Sequence, residues 1–322
     1  MDVVILVCDG VFDSGLAAIL DVLEGANGMS EELLAPPTWN VTTIGFHPQV
    51  RTGAGHLVAT EPVVHAETAD LLIVPALAER QPAALVDHIS GEQLAPVREL
   101  IASACEGGTS IASACTGTFL LAESGILDGR RATTSWWLAP TFRGRYPAVE
   151  LDQSRMVIAA NGVTTAGAGF GHVDLALAIV RMISPALADL VASYMVIDER
   201  PSQSAYTIPS ALAQNDPVVA AFERWARQRL DQPISIADAV KSLGVSKRTL
   251  QRSVQRTVGT SPIRFIQALR VEQASHLLRT TTLSIESIAR RVGYQHPNTL
   301  RVLLRQRTGR STTALRVRAG DT

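Results

Sequence analysis

The chain has only three cysteines in 322 residues, Cys8, Cys105 and Cys115. An odd number with no metal-ligand spacing excludes a disulfide framework and a zinc site, and fits a reducing cytoplasm. Long hydrophobic runs are also missing. The first apolar run, Val3 to Cys8, is interrupted by Asp9 and follows no basic stretch, so it reads as a buried strand and not as a signal peptide or membrane span. Aromatics are only 5% of the residues, yet the hydrophobic fraction of 46% is that of a chain that folds throughout. No low-complexity tract interrupts it, and neither a metal nor a cofactor is expected.

Basic residues are scarce over the first two thirds. Residues 1–215 hold 10 Lys+Arg against 23 Asp+Glu, net −13, whereas residues 216–322 hold 19 against 7, net +12. A C-terminal third this basic attracts phosphate backbones, and the acidic remainder is repelled by them. The length suits two domains, each large enough for its own core.

Apolar runs at Val3–Cys8, Asn40–Gly45, Leu71–Pro75, Thr109–Ala114 and Met156–Ala160 alternate with helical patterns, one on Leu94, Val97 and Ile101, another over Val173–Ile183. Such alternation predicts an α/β domain over 1–193, a flavodoxin-like parallel sheet with helices on both faces. Residues 194–216, polar around Glu199–Ser204 and punctuated by Pro209 and Pro217, read as a linker. Residues 217–318 are helical in period throughout, which predicts an all-α domain.

That domain contains a repeat. Ile236–Val245 and Ile285–Tyr294 both place apolar residues on one helical face and end on a glycine, Gly244 or Gly293, suited to the left-handed turn that stops a helix. Ser246 can cap a second helix through Leu250 and Val254, and Pro297 can open one through Leu300, Leu303 and Leu304. Helix, glycine turn, helix, twice within the basic segment, is a paired helix-turn-helix pattern. Burying those apolar residues leaves Ser246, Lys247, Arg248, Gln251, Arg252 and Gln255 on one unit. On the other it leaves His296, Asn298, Thr299, Arg301, Arg305 and Gln306. Arg forks onto guanine, Asn and Gln onto adenine, and Lys and Thr onto phosphate or mixed acceptors, so these are the candidate DNA contacts.

The stretches ISIADAVKSLGVSKRTLQR (234–252), TVGTSPIRFIQALRVEQASHLL (257–278) and LSIESIARRVGYQHPNTLRVLLRQRTG (283–309) resemble the AraC/XylS family DNA-binding domain. The resemblance implies two helix-turn-helix units around a connector that Pro262 opens. Phe265, Ile266, Leu269, Ala274, Leu277 and Leu278 would form its buried face, and Arg270 would be its characteristic Arg. Three features depart from the family: Leu300 and Leu303 replace aromatics, His296 replaces a small cap, and the closing motif reads Gly309-Arg310-Ser311-Thr312. The second unit is therefore expected to read DNA less tightly.

In the N-terminal part, Gly107 to Leu121 reads as a strand delivering Cys115 into a tight turn before a helix, which would expose the sulfur and lower its pKa. A small buried hydrophobe is the plain alternative for Cys115. With GTFLLAESGILDGRRATTSWW (117–137), Asp70–Pro75 and Thr164–Gly169, residues 3–183 resemble the PfpI-type branch of the class I glutamine-amidotransferase-like superfamily. Its fusion to an AraC-type domain is the architecture of GlxA-like regulators. The resemblance implies a Cys, a His and an acid. Here Ser135 stands at the His position, Gly15 at the early acid with Asp13 and Asp21 nearby, and Ala76 and Leu77 where glycine amides would form an oxyanion hole. His172 and Asp174 lie close to the glycine segment.

Without an imidazole at position 135 the elbow has no evident base, so no enzyme is expected. The expected function is transcription regulation: double-stranded operator DNA as partner, homodimerisation through the N-terminal domain, and RNA polymerase as a further partner of an activator. A small-molecule effector would sit beside Cys115, Thr116, Ser135 and Gly167. A cysteine hydrolase or hydratase with an ancillary DNA-binding domain, and a Cys115 redox sensor, are the alternatives; thiol exposure and pKa discriminate between them.

Overall fold

The computed structural model describes residues 1–30, 38–309 and 311–316. Arg310 of the closing motif and residues 317–318 of the expected DNA-binding domain lie outside these. The chain divides into two compact units, 1–203 and 204–322.

The strands of the first unit are β1 (Asp2–Leu6), β2 (Asn40–Gly45), β3 (Gln49–Arg51), β4 (Leu57–Ala59), β5 (Glu61–Pro62), β6 (Leu71–Val74), β7 (Ser110–Ala114), β8 (Arg131–Ala132), β9 (Glu150–Leu151), β10 (Val157–Ala160) and β11 (Val163–Ala166). The main sheet runs β10-β11-β7-β6-β1-β2-β5, with β3–β4 and β8–β9 as separate pairs. Its neighbours are parallel except β10 and β11, which form an edge hairpin. The hairpin turns at Asn161-Gly162, both with positive φ, the pairing a two-residue turn requires. The five apolar runs predicted as strands all contain one, β1 and β6 stopping short at Leu6 and Val74. β11 was hidden inside the segment read as a glycine motif.

Alternation along the central strands feeds two cores. Val3, Ile5, Leu71 and Ile73 face α1 (Asp13–Ser30), while Val4, Leu6, Leu72 and Val74 face α2 (Pro82–Ser90), α3 (Ala95–Glu106), α4 (Gly117–Glu123) and α5 (Ala139–Arg145). The first core also takes α6 (Gly171–Ile183) and α7 (Pro185–Tyr194).

The stretch read as a linker is more ordered than its composition suggests. It begins in the last residue of α7, contains α8 (Pro209–Ala213), and lays residues 200–203 along the first unit. There the Met156 amide donates to the Pro201 carbonyl (3.3 Å) and the Gln203 amide to that of Ser154 (2.9 Å). Of its polar side chains, Arg200, Ser202 and Gln203 make hydrogen bonds within the protein, whereas Asp198 and Glu199 are exposed.

The second unit continues with α9 (Pro217–Arg227), α10 (Ile236–Leu243), α11 (Lys247–Val258), α12 (Pro262–Thr280), α13 (Ile285–Arg291), α14 (Pro297–Thr308) and α15 (Thr312–Arg316). Buried Asp216 caps α9 through the Val218 and Val219 amides and pairs with Arg256 of α11 at 2.6 Å. The connector is α12, opened by Pro262 behind the cap Ser261. It buries Phe265, Ile266, Leu269, Ala274 and Leu278, whereas Leu277, expected in that face, is only partly buried at the edge of the α13–α14 core.

Candidate functional site

The strand β7 delivers Cys115 into a turn with φ 57°, a left-handed conformation that a non-glycine residue adopts at a cost of about 1 kcal/mol. The expected exposure of its sulfur is not found. Cys115 is 5% exposed, Thr116 3% and Ser135 0%. The Ser135 hydroxyl donates to the Cys115 sulfur at 2.9 Å, and the Thr134 hydroxyl to the Cys115 carbonyl at 2.6 Å. Burial pushes the thiol above its ordinary pKa, and the opposing bonds from Ser135 and Thr116 do not offset it. The sequence places the cysteine in its turn, but the expected lowering of its pKa is reversed, because burial beneath a loop that bonds it through Thr134 and Ser135 outweighs the bonds that favour the thiolate.

The two amides at the end of β6 are both occupied. Ala76 N–H donates to His172 Nε2 at 3.1 Å, and Leu77 N–H donates to the Thr116 hydroxyl at 2.8 Å, which returns a bond to the Leu77 carbonyl at 2.7 Å. His172 lies within 2.6 Å of the Gly169 carbonyl through Nδ1, so the ring is the Nδ1–H tautomer with its Nε2 lone pair taken by the amide. Burial holds this imidazole down to about 4, hence neutral at pH 7. The ring stands in the space an acid side chain at position 15 would enter: a Cβ on Gly15 would lie 2.7 Å from His172 Cε1. Asp13 turns elsewhere, accepting from the Thr52 hydroxyl, the Ala54 amide and the His56 ring. Asp174 pairs with Arg200 at 2.6 Å, and Asp21 is exposed.

Over Gly167, expected to line a ligand cavity, lies Gln203. Its carboxamide accepts from the Trp136 amide (3.1 Å) and donates to the Thr134 carbonyl (2.8 Å), the Arg155 carbonyl (3.1 Å) and the Thr133 hydroxyl (3.1 Å). By composition alone Gln203 falls in the polar stretch expected to be a linker. Among the described residues no group of three or more His, Cys, Asp or Glu could hold a metal ion.

In the second unit, α10 ends at Gly244 (φ 65°) and Ser246 caps α11 by accepting from the Thr249 amide at 3.0 Å. Lys247, Arg248, Gln251, Arg252 and Gln255 are exposed on α11, with Leu250 and Val254 buried beneath. On α14, His296, Asn298, Thr299, Arg301, Arg305 and Gln306 are exposed over buried Leu300 and Leu304. The two units differ in preparation. His296 makes no side-chain cap bond. Arg301 is held by Asn298 Oδ1 at 2.7 Å and Glu286 at 3.3 Å. Arg270 of the connector joins the α9–α10 loop to the second helix-turn-helix unit: it donates to the Gln232 carbonyl at 2.7 Å and lies 5.4 Å over the Tyr294 ring. It also walls in Gly293, where φ is 77° and a Cβ would meet the Leu230 carbonyl at 2.3 Å.

The sheet order and the strained cysteine turn define an α/β fold of the glutamine-amidotransferase-like class. The DJ-1/PfpI family model matches residues 1–182 and the helix-turn-helix domain model residues 239–318. The chain belongs to the DJ-1/PfpI family and carries an AraC-type helix-turn-helix domain. It is 29% identical to the HTH-type transcriptional regulator CdhR of Pseudomonas aeruginosa over 59% of this chain and 58% of CdhR. It is 24% identical to the HTH-type transcriptional regulator GlxA of Rhizobium meliloti over 66% of this chain and 67% of GlxA. The chain thus matches little more than half the length of CdhR. The crystal structure of an AraC family transcriptional regulator from Pseudomonas putida shares the fold, with a TM-score of 0.51, 16% identity, and coverage of 60% of this chain and 98% of that one. No helix among the described residues is long and apolar enough to cross a membrane.

Proposed function

We propose that the chain is a sequence-specific, cytoplasmic transcription regulator whose N-terminal unit has no catalytic role. The observation that carries this reading is the pair of glycine-turned helix-turn-helix units, each presenting a row of exposed Arg, Gln or Asn over a buried leucine seam in the basic part of the chain. The relatives' names as transcriptional regulators agree with it. The N-terminal unit serves homodimerisation and effector sensing, and RNA polymerase is the further partner where the protein activates.

Four features speak against turnover at Cys115. The thiol is protonated and buried, Ser135 supplies no base, the His172 lone pair is spent on the Ala76 amide, and the Leu77 amide is spent on Thr116. An oxyanion stabiliser must present free donors to developing charge, and here both are already bonded. The same burial disfavours redox sensing, which needs an accessible thiolate.

Selection of random-sequence duplex DNA by the full chain, followed by affinity against salt, tests the regulator reading. An enriched motif with two segments is expected; enrichment of no motif overturns it. A Cys115-dependent rate on amide or nitrile substrates, well above background, overturns the non-catalytic part.

A further inference from the structure

Gln203 is the last residue of the first unit, and Ser204 begins the second. A glutamine beside such a boundary would normally be solvated, yet this one is 0% exposed. Its carboxamide oxygen accepts from the Trp136 N–H, and its nitrogen donates to the Thr134 and Arg155 carbonyls and to the Thr133 hydroxyl. The pocket is shaped to its head group. A Cβ on Gly167 would lie 2.2 Å from Gln203 Nε2, so glycine there leaves room for the amide and for nothing more. The same loop supplies Ser135 and Thr134, which bond Cys115. The preceding residues are fastened alongside: Arg200 to Asp174, and the Ser202 hydroxyl to the Ser154 carbonyl.

We propose that residues 133–136, Arg155 and Gly167 form a carboxamide-binding pocket beside the elbow, occupied by Gln203 as a tethered internal ligand. One acceptor and two N–H donors in a plane match the Trp136 amide on one side and the Thr134 and Arg155 carbonyls on the other. A primary carboxamide meets this set; a carboxylate does not, because its second oxygen would face the two carbonyls with no hydrogen to offer. A small molecule bearing a primary carboxamide therefore competes for the site. The tethered amide has the advantage of high effective concentration, so the competitor must add contacts of its own. Its binding releases residues 200–203, the stretch that leads into the DNA-binding unit. The pocket stands on the hydrogen bonds alone; only the regulatory consequence rests on the reading given under Proposed function.

The test uses the full chain and hydrogen exchange at residues 154–157 and 200–206, where the Met156 and Gln203 amides are bonded across the contact. Loss of several buried hydrogen bonds in Gln203→Ala should speed this exchange by about tenfold or more. Acetamide, which restores the deleted head group, should return protection towards wild type at tens of millimolar, and acetate should not. Gly167→Ala should evict the amide and raise exchange in the wild-type background, yet change little when combined with Gln203→Ala. Unchanged exchange in Gly167→Ala, equal effects of that substitution in both backgrounds, or equal protection by acetamide and acetate would overturn the proposal. If Gln203→Ala does not fold, the Gly167→Ala result decides alone. Exchange reports the pocket whatever the chain binds, so failure of DNA binding by the wild type counts against the regulator reading only.

Discussion

The neutral His172 ring makes the first unit sensitive to acid in a calculable way. Its folded pKa is depressed from the ordinary 6.5 to about 4, so the unfolded chain takes up the proton first. The stabilisation is fully present above pH 6.5 and is lost as pH falls from 6.5 towards 4. With 1.36 kcal/mol per pKa unit, the loss attributable to this one group is about 2 kcal/mol at pH 5 and about 3 kcal/mol below pH 4. The ring is fully buried, so solvent screening does not discount these figures. His172→Gln can still accept from the Ala76 amide through its carbonyl but does not titrate. Urea midpoints between pH 8 and 4.5, followed by tryptophan emission in a Trp225→Phe background, report the first unit. The wild type should lose about 2 kcal/mol more than His172→Gln on going from pH 8 to 5. Equal slopes would refute the assignment of a neutral ring with its lone pair on the amide.

Arg270→Ala removes a charge-assisted bond to Gln232 and the stack on Tyr294, and should destabilise the second unit by about 2 kcal/mol in chemical denaturation; Arg270→Lys should not restore it, because lysine lacks the fork. Ser246→Ala should cost about 1 kcal/mol, and His296→Ala much less, because only Ser246 makes a cap bond. In native protein, iodoacetamide at pH 8 should alkylate Cys115 only at the rate of unfolding; labelling of folded Cys115 at the rate of a free thiol would contradict its enclosure.

Element type was legible wherever local pattern decided it. Continuous apolar runs located the central strands, period-3.6 apolar spacing located α3, α6 and both helix-turn-helix units, and Ser246, Pro262 and Pro297 marked helix starts. What failed needed partners far apart in sequence. β11 was masked by its glycine-bearing continuation, although Asn161-Gly162 is a strong hairpin signal that would have revealed it. The burial of Cys115 is not legible locally because the Thr134 and Ser135 hydroxyls that bond it lie 19 and 20 residues away, and Gln203 reads as linker because composition cannot show that its amide has partners 67 to 70 residues away. At Gly15, read as standing where the resemblance implies an acid, only the structure reveals that the His172 ring occupies the space a side chain would enter.

Footprinting of the full chain on its selected duplex, with Arg252→Ala and Arg301→Ala beside the wild type, tests the central claim most directly. Two protected major-groove segments on one face, about one helical turn or roughly 34 Å apart, are expected from two reading helices joined through α12. Arg252→Ala should relax base preference in one segment at a cost of about 1 to 3 kcal/mol. Arg301, already engaged by Glu286 and Asn298, should mainly affect affinity and salt dependence in the other. Protection of a single groove segment, or equal loss of specificity from the two substitutions, would contradict this account.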